Sequence, residues 1–139
     1  MTAIDIARLR VRCDAAGLEG REILALYTDT ELRLIYNRLG PDSFPAWLRE
    51  AISDLNRWLE PAALIHDVEW SESDGTREGF TASNKRLREN GHRLARFLYA
   101  WYDPRRYLYT NRASRFSNYC QLFGWHAWKH DAKKEPAGI

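Results

Sequence analysis

The sequence predicts an all-α protein: a compact, single-domain helical bundle with a central antiparallel helix pair at about residues 60–70 and 79–102. Apolar residues recur at the helical period of about 3.6 residues through most of the chain. No segment shows a convincing alternation of apolar and polar side chains, which is the pattern of a half-buried strand. Short clusters of Gly, Pro, Asp and Ser separate the apolar stripes, as turns between helices do.

The composition limits the class of protein. At 139 residues, of which 45% are hydrophobic, the chain can build one core without disulfides or a structural metal. Its net charge of +2, from 21 basic and 19 acidic residues, is too close to balance to favour nucleic acid as a partner. Two cysteines far apart, and a charged start without the apolar core of a signal peptide, predict free thiols in a reducing cytoplasm. No apolar run reaches the roughly 18 residues of a membrane span.

In the N-terminal segment, residues 1–40, the pattern of apolar residues predicts two helices. An apolar stripe begins at Ile6, and Gly17 fits the C-terminal cap of that first helix. Thr28 or Thr30 can cap the second helix, which a Gly-Pro pair then ends. The stretch between them, LEGREILALY, is ambiguous and predicts a helical turn or two at most.

The middle segment, residues 41–103, contains the central pair. Pro45 suits the first turn of an amphipathic helix that runs to Leu59. Since proline is tolerated in a first turn but not in an interior, Pro61 is predicted to end that helix and to start the next one. The polar loop after it, residues 71–79, is short enough to make the following helix antiparallel.

The second central helix carries one stripe that is apolar but for a single side chain. Asn84 is the only strongly polar member of this stripe, so it is predicted to face inward, towards the neighbouring helix. At Gly91 a break or kink is favoured over close packing against another helix. The members of the stripe are Phe80, Asn84, Leu87, Gly91, Leu94, Leu98 and Trp101.

The aromatic-rich C-terminal segment, residues 104–131, begins after an Asp-Pro pair that ends the second central helix. Residues 105–111 are predicted to be irregular or a short helix. From Ala132 onward the tail is predicted to fray. Between them a last helix ends at Gly124 and carries Phe116, Tyr119, Cys120 and Phe123.

The segment Pro61–Trp70, PAALIHDVEW, places a histidine and an aspartate side by side in an otherwise nearly apolar helix. A helix that is apolar on both sides is normally buried, and a buried imidazole or carboxylate needs a partner. We therefore predict a site at His66, Asp67 and Asn84, in which Asn84 or Asp67 orients His66 as a general base. In the alternative interpretation, these side chains have a structural role and join two helices and a loop through hydrogen bonds. The structural role is favoured for Asp67, and for His66 the two interpretations are equally weighted.

Four residues are predicted to support this site: Glu69, Trp70, Phe80 and Asp42. Glu69 lies one helical turn after the histidine. A divalent cation such as calcium would need hard oxygen ligands around Asp67, and the nearest carboxylates are those of Glu69, Asp42 and Asp74. These are fewer than such a site obviously needs, so the sequence predicts no definite metal or cofactor and keeps calcium at Asp67 as an option.

Two other groups of residues could bind a ligand. His126 and His130 have the i, i+4 spacing of helical metal ligands, but without a third ligand nearby two surface histidines are favoured. Four arginines interleave with Tyr and Phe in a composition that single-stranded nucleic acid or phosphate can use. Such arginines are more often solvated or stacked on the rings of their own protein. They are Arg105, Arg106, Arg112 and Arg115.

Three stretches in this order, YNRLGPDSFPAWL, EPAALIHDVEW and GFTASNKRLRENG, resemble a family of small phage and prophage proteins of unknown role. The resemblance covers roughly Tyr36 to Gly91. It implies a protein of the cytoplasm of a bacterial host cell, with a phage or host protein as its partner.

The predicted helix pair is also similar, more remotely, to the phospholipase A2 superfamily, in which a His-Asp pair on one helix faces an Asp on an antiparallel helix. This similarity implies that His66 is the general base that activates a water and that Asp67 helps to bind calcium. It places Asn84 at the position of the residue that orients the histidine. Because Asn84 is uncharged, it can fix a tautomer but cannot stabilise an imidazolium by charge.

Three functions are consistent with these residues. A non-enzymatic, partner-binding or structural protein of phage type with a polar network in its core ranks first. A phospholipase A2-like hydrolase is the alternative, and a nucleic-acid or phosphate binder that uses the C-terminal arginines is the third. A cleft that reaches His66 would favour the hydrolase. A buried, hydrogen-bonded His66 would favour the non-enzymatic protein. A contiguous basic face on the C-terminal third would favour the nucleic-acid or phosphate binder.

Overall fold

The structure, a computed structural model, describes residues 5–38 and 46–133, with side-chain surroundings for residues 5–36 and 57–129. Every regular element in these ranges is a helix, so the predicted all-α class is confirmed. The elements are α1 (Ile6–Ala16), a short 3₁₀ helix (Arg21–Leu26), α2 (Asp29–Arg38), α3 (Ala46–Ser71), α4 (Arg77–Leu98), α5 (Pro104–Phe123) and α6 (Trp125–Lys133).

The central helix is α3, which packs against α1, α2, α4 and α6. The helices α3 and α4 are antiparallel, as predicted, because Trp70 contacts Phe80 near the connecting loop while Leu59 lies against Gly91 at the far end. The most extensive pair is α4 with α5, so these two helices form a hairpin on one side of α3. The core between the helices is apolar and includes Ile6, Leu18, Leu32, Leu64, Ile65, Val68, Phe80, Leu87 and Leu94.

The expected break at Pro61 is wrong, because α3 runs through this proline without interruption. A proline in a helix interior removes one backbone hydrogen bond at a cost of about 3 kcal/mol. Burial compensates for this loss here, since every residue from Pro61 to His66 is buried. The carbonyl of Pro61 also accepts a 3.5 Å hydrogen bond from the Cys13 thiol of α1.

The second central helix ends earlier than predicted and does not break at Gly91. It spans Arg77–Leu98, and Trp101 lies beyond its end with 72% of its surface exposed, so Trp101 is not part of the buried stripe. Gly91 instead allows close packing of α4 against α5, which was the alternative prediction for this residue. A Cβ added to Gly91 would lie only 2.4 Å from the Cβ of Ala113 on α5.

The C-terminal segment is more helical than predicted. Residues 105–111 form the first half of α5, which begins with Pro104 in its first turn and the Asp103 side chain as its cap. Gly124 ends this helix as expected, but α6 follows at once and includes Ala132. Of the four residues predicted for the apolar face, Phe116 and Cys120 are buried and the other two, Tyr119 and Phe123, are exposed.

The predicted start and end signals of the N-terminal helices are confirmed where the structure describes them. Gly17 caps α1 in the left-handed conformation, with φ of 65°. Thr28 and Glu31 form a reciprocal capping box at the start of α2, with hydrogen bonds of 3.0 and 3.1 Å. The predicted Gly-Pro stop and the cap before Pro45 lie outside the described residues.

Two side chains of α4 hold the loop between α1 and the 3₁₀ helix. The side-chain amide of Asn90 accepts a hydrogen bond from the backbone N–H of Glu19 at 2.7 Å and donates one to its carbonyl at 2.9 Å. Arg93 donates to the carbonyl of Gly17 at 2.7 Å and to the Glu19 carboxylate at 3.1 Å. These four hydrogen bonds, which we call the loop latch, join residues more than seventy positions apart.

Candidate functional site

His66 and Asn84 face each other across the α3–α4 contact, as predicted. The imidazole Nε2 lies 2.9 Å from Oδ1 of Asn84. The exposed fraction of the two residues is 6% and 2%, so the pair is within the protein interior. The antiparallel packing of α3 and α4 brings the two positions to the same level, and Asn84 turns inward because it lies on the buried face of α4 with Phe80 and Leu87.

The hydrogen bonds continue from this pair to the surface. Asn84 donates through Nδ2 to Oε1 of Gln121 on α5 at 2.8 Å, and Gln121 donates through Nε2 to the Thr81 hydroxyl at 3.1 Å. Since Nδ2 of Asn84 is used as a donor towards Gln121, its Oδ1 is the acceptor for His66. The imidazole therefore carries its proton on Nε2. We call these four residues, His66, Asn84, Gln121 and Thr81, the polar chain.

The electrostatics of the polar chain favour a neutral histidine. Burial lowers the pKa of His66 from its ordinary 6.5 to about 4, and the hydrogen bond to Asn84 opposes this shift only in part. The Trp70 ring lies beside the imidazole at an interplanar angle of 44°, with a centroid separation of 4.9 Å, and adds no charge. No carboxylate among the described residues hydrogen-bonds to the ring, so an imidazolium formed during catalysis would lack a charged partner there.

Asp67 lies outside the polar chain. No hydrogen bond or ion pair joins it to another described residue. Burial raises the pKa of the Asp67 carboxyl, and its negative charge in turn helps to raise the pKa values of Tyr36 on α2 and Cys120 on α5. The structure therefore brings two of the three predicted catalytic residues together and leaves the third, Asp67, without a hydrogen bond to either of them.

Within the residues that the structure describes, no set of cation ligands surrounds Asp67. A hard divalent cation needs several oxygen ligands and would favour an ionised carboxylate. Here burial favours the protonated carboxyl, and the described residues contain no group of three or more His, Cys, Asp and Glu that could hold a metal. Asp74 is used in the α3–α4 loop, where it accepts from the backbone and side chain of Thr76. Asp42 lies outside the described residues.

The other predicted supporting residues have structural contacts. Glu69 forms an ion pair with Arg86 of α4, and burial nevertheless raises the pKa of this carboxyl to about 7. Trp70 and Phe80 belong to an aromatic cluster that joins α3 and α4 to Trp125 and Trp128 of α6. His126 of the same helix is exposed, which agrees with a surface histidine, and the side chain of His130 lies outside the described set.

The four candidate arginines lie on α5 in different surroundings. Arg105 forms an ion pair with Asp103 at 2.7 Å and stacks on Tyr99, with its guanidinium 4.6 Å from the ring centroid. Arg112 lies over Tyr109, 5.3 Å from the centroid. No ion pair to a described residue is present at Arg106, which is half-buried, or at Arg115, which is exposed.

These arginines are part of a strong separation of charge. Residues 77–123, which contain the α4–α5 hairpin, have ten Lys and Arg against three Asp and Glu, a net charge of +7. Residues 1–76 have eight basic and fourteen acidic residues, a net charge of −6. The balanced total of the chain therefore hides a basic hairpin that packs against an acidic remainder.

Sequence reasoning missed several residues of these two regions. Gln121 and Thr81 are in the polar chain, and nothing in their local pattern indicates this, because the contacts depend on how α5 packs. Trp101 and Tyr102 were missed as surface residues, although their place just before an Asp-Pro helix start is a signal for a loop. The basic hairpin would have been found by counting charges segment by segment.

Within its described residues, the chain has no helix whose length and apolar content would suffice to span a membrane. Comparison of the chain with protein-family models, with curated proteins and with solved structures found no match.

Proposed function

We propose that this chain is a non-enzymatic binding protein, and that the basic α4–α5 hairpin is the side that binds an anionic partner. The observation that carries this proposal is the net charge of +7 on residues 77–123, against −6 on the residues before them. A surface of one charge sign raises the local concentration of partners of the opposite sign and accelerates their association. The hairpin also bears most of the exposed aromatic residues.

The polar chain supports a structural role for the His-Asp motif. A general base must reach the proton that it abstracts. His66 is almost completely buried, its Nε2 proton is bonded to Asn84, and its low pKa makes it a weak base at neutral pH. The hydrolase is therefore the less supported proposal, and the resemblance to phage and prophage proteins remains a prediction.

The test compares two triple variants in binding to heparin, which serves as a polyanion. In the first, Lys85, Arg96 and Arg115 of the hairpin are each replaced by glutamine. In the matched control, Arg8, Arg33 and Arg57 of the acidic part are replaced in the same way. All six side chains are exposed and none forms an ion pair with a described residue. Since the charges of Arg8 and Arg57 lower the pKa of Glu60, thermal unfolding checks that both variants remain folded.

We expect the wild-type protein and the control to elute from a heparin column at similar salt concentrations, and the hairpin variant to elute at clearly lower salt. If the wild-type protein does not bind, or if the control loses as much affinity as the hairpin variant, the basic hairpin is not a binding side.

A further inference from the structure

We propose that the anionic partner is a single-stranded nucleic acid, whose unpaired bases stack on exposed aromatic rings at the end of the α4–α5 hairpin. This inference rests on the proposed function and names the partner class of the same side. The surface, which we call the aromatic tip, consists of Trp101, Tyr102 and Tyr107 with the arginines Arg96, Arg105 and Arg106.

The rings of the aromatic tip are open to solvent. The exposed fraction is 72% for Trp101, 73% for Tyr102 and 62% for Tyr107. Exposed apolar residues that form a contiguous patch, unlike scattered single ones, are typical of interaction sites. Each can offer a face to a base, and stacking of a base on an aromatic side chain does not depend on the identity of the base.

The tip is also held in place. The Tyr107 hydroxyl donates a 2.8 Å hydrogen bond to the backbone carbonyl of Trp101, which ties the first turns of α5 to the loop. The rings of Trp101 and Tyr102 meet edge to face, with centroids 5.7 Å apart and an interplanar angle of 84°. Rings fixed in the free protein lose little conformational freedom when a ligand binds, which favours affinity.

Three arginines lie close to these rings in the sequence. Arg105 keeps 64% of its side chain exposed although it pairs with Asp103 and stacks on Tyr99. Arg96 and Arg106 form no ion pair with a described residue. The acidic residue of the tip, Asp103, is occupied by Arg105 and by the cap of α5. Phosphates that approach the tip therefore meet two guanidinium groups, those of Arg96 and Arg106, that are not paired with a described carboxylate.

The kind of cation and the kind of ring favour nucleic acid over an anionic membrane. Nine of the ten basic residues in the hairpin are arginine, whose planar guanidinium suits bidentate contact with phosphate. Two of the three rings carry hydroxyl groups, and Leu108 is the adjoining aliphatic residue, with 47% exposed. A membrane-inserting surface would be expected to present more aliphatic area. The stacking faces also require unpaired bases, which a duplex does not offer.

The test is fluorescence anisotropy with a labelled oligothymidylate of about 16 nucleotides, a length that covers one typical binding site. The variant is Trp101→Ala and the matched control is Phe123→Ala, another exposed aromatic residue, at the opposite end of α5. Both changes are on the surface, and thermal unfolding checks that both proteins remain folded. We expect Trp101→Ala to weaken binding by at least about fivefold, and Phe123→Ala to leave it unchanged.

Four outcomes would overturn the inference. The first is no binding of the oligothymidylate while heparin still binds, which leaves the proposed function standing. The second is equal binding of a duplex of the same length, and the third is an equal loss in the two variants. The fourth is binding to phosphatidylserine vesicles but not to the oligonucleotide. If neither heparin nor the oligonucleotide binds, the proposed function fails as well.

Discussion

The polar chain and the aromatic tip both depend on the α4–α5 hairpin, yet they differ in how their groups are satisfied. In the polar chain, the side-chain amide of Asn84 accepts from His66 and donates to Gln121, so its bonds end within the protein. At the aromatic tip, the face of Trp101 and the guanidinium of Arg96 point to solvent. The amide of Asn84 and the Nε2 proton of His66 thus have partners inside the protein, whereas the groups of the aromatic tip are open to solvent. A motif therefore indicates a binding site only if some of its groups are left for a ligand.

This comparison predicts a separation of effects: changes in the polar chain should alter stability, and changes at the tip should alter binding. The largest effect is expected for Asn84→Leu. It leaves the buried Nε2 proton of His66 without its partner and removes the hydrogen bond to the partly buried Oε1 of Gln121, which should lower the free energy of unfolding by about 2–3 kcal/mol. Urea denaturation measures this change, and Lys85→Ala, at the exposed neighbouring position, is the control.

The predicted separation of stability from binding would be contradicted if Asn84→Leu weakened oligothymidylate binding while its free energy of unfolding stayed within about 0.5 kcal/mol of the wild-type value. That result would make Asn84 part of the binding surface rather than of the scaffold.

A second effect concerns acid pH. Because the pKa of His66 is about 4 in the folded state and about 6.5 when unfolded, the unfolded state binds a proton first as the pH falls. The stability due to neutral His66 is therefore complete above pH 6.5 and decreases towards pH 4, with a loss of about 2 kcal/mol between pH 7 and 5. The half-buried carboxyls of Asp67 and Glu69 have raised pKa values and act in the opposite direction.

The variant His66→Gln isolates this contribution, since glutamine can donate to Asn84 but does not titrate, and the two carboxyls are unchanged. Between pH 7 and 5 the wild-type protein should lose about 2 kcal/mol more than His66→Gln, measured by urea denaturation at each pH. If the free energy of unfolding depended on pH equally in the two proteins, His66 would be accessible to solvent and protonated in the folded state. That result would favour the hydrolase function.

The smallest effect is expected at the contact that holds the hairpin together. Gly91→Ala places a methyl group within 2.4 Å of the Ala113 Cβ, and should lower stability by about 1–2 kcal/mol although alanine is the better helix former. Ala113→Gly in the same protein removes the clash and should recover part of the loss, so that the double-mutant cycle gives a favourable coupling energy. A cycle without coupling would mean that α4 and α5 are not in close contact there.

The sequence predicted the helices and one essential contact, and the reasons are visible at single residues. Asn84 was placed correctly because one amide in an apolar stripe must face the interior. Pro61 was misread because the rule against proline in a helix is a local cost, and the burial that outweighs it depends on tertiary packing. The first half of α5 was left open between an irregular stretch and a short helix because Arg105–Asn111 has no apolar stripe, and its cap and its packing on α4 decide its structure.

The site was less predictable than the fold. Adjacent residues on a helix point about 100° apart, so the neighbours His66 and Asp67 could not be assumed to share one set of partners. Which of them meets Asn84 depends on the rotation of α3 against α4, and this is set by the entire core. The basic hairpin, in contrast, is visible in the sequence when charges are counted by segment. The net charge of the whole chain conceals it, because the acidic residues before it offset its positive charge.

The loop latch has a consequence for the order of events during synthesis. The turn after α1 finds its hydrogen-bond partners on Asn90 and Arg93, which the ribosome adds more than seventy residues later. Contacts so distant along the chain slow folding, since a long loop must close before they form. The turn after α1 therefore forms its hydrogen bonds to α4 only after most of the polypeptide has been synthesised.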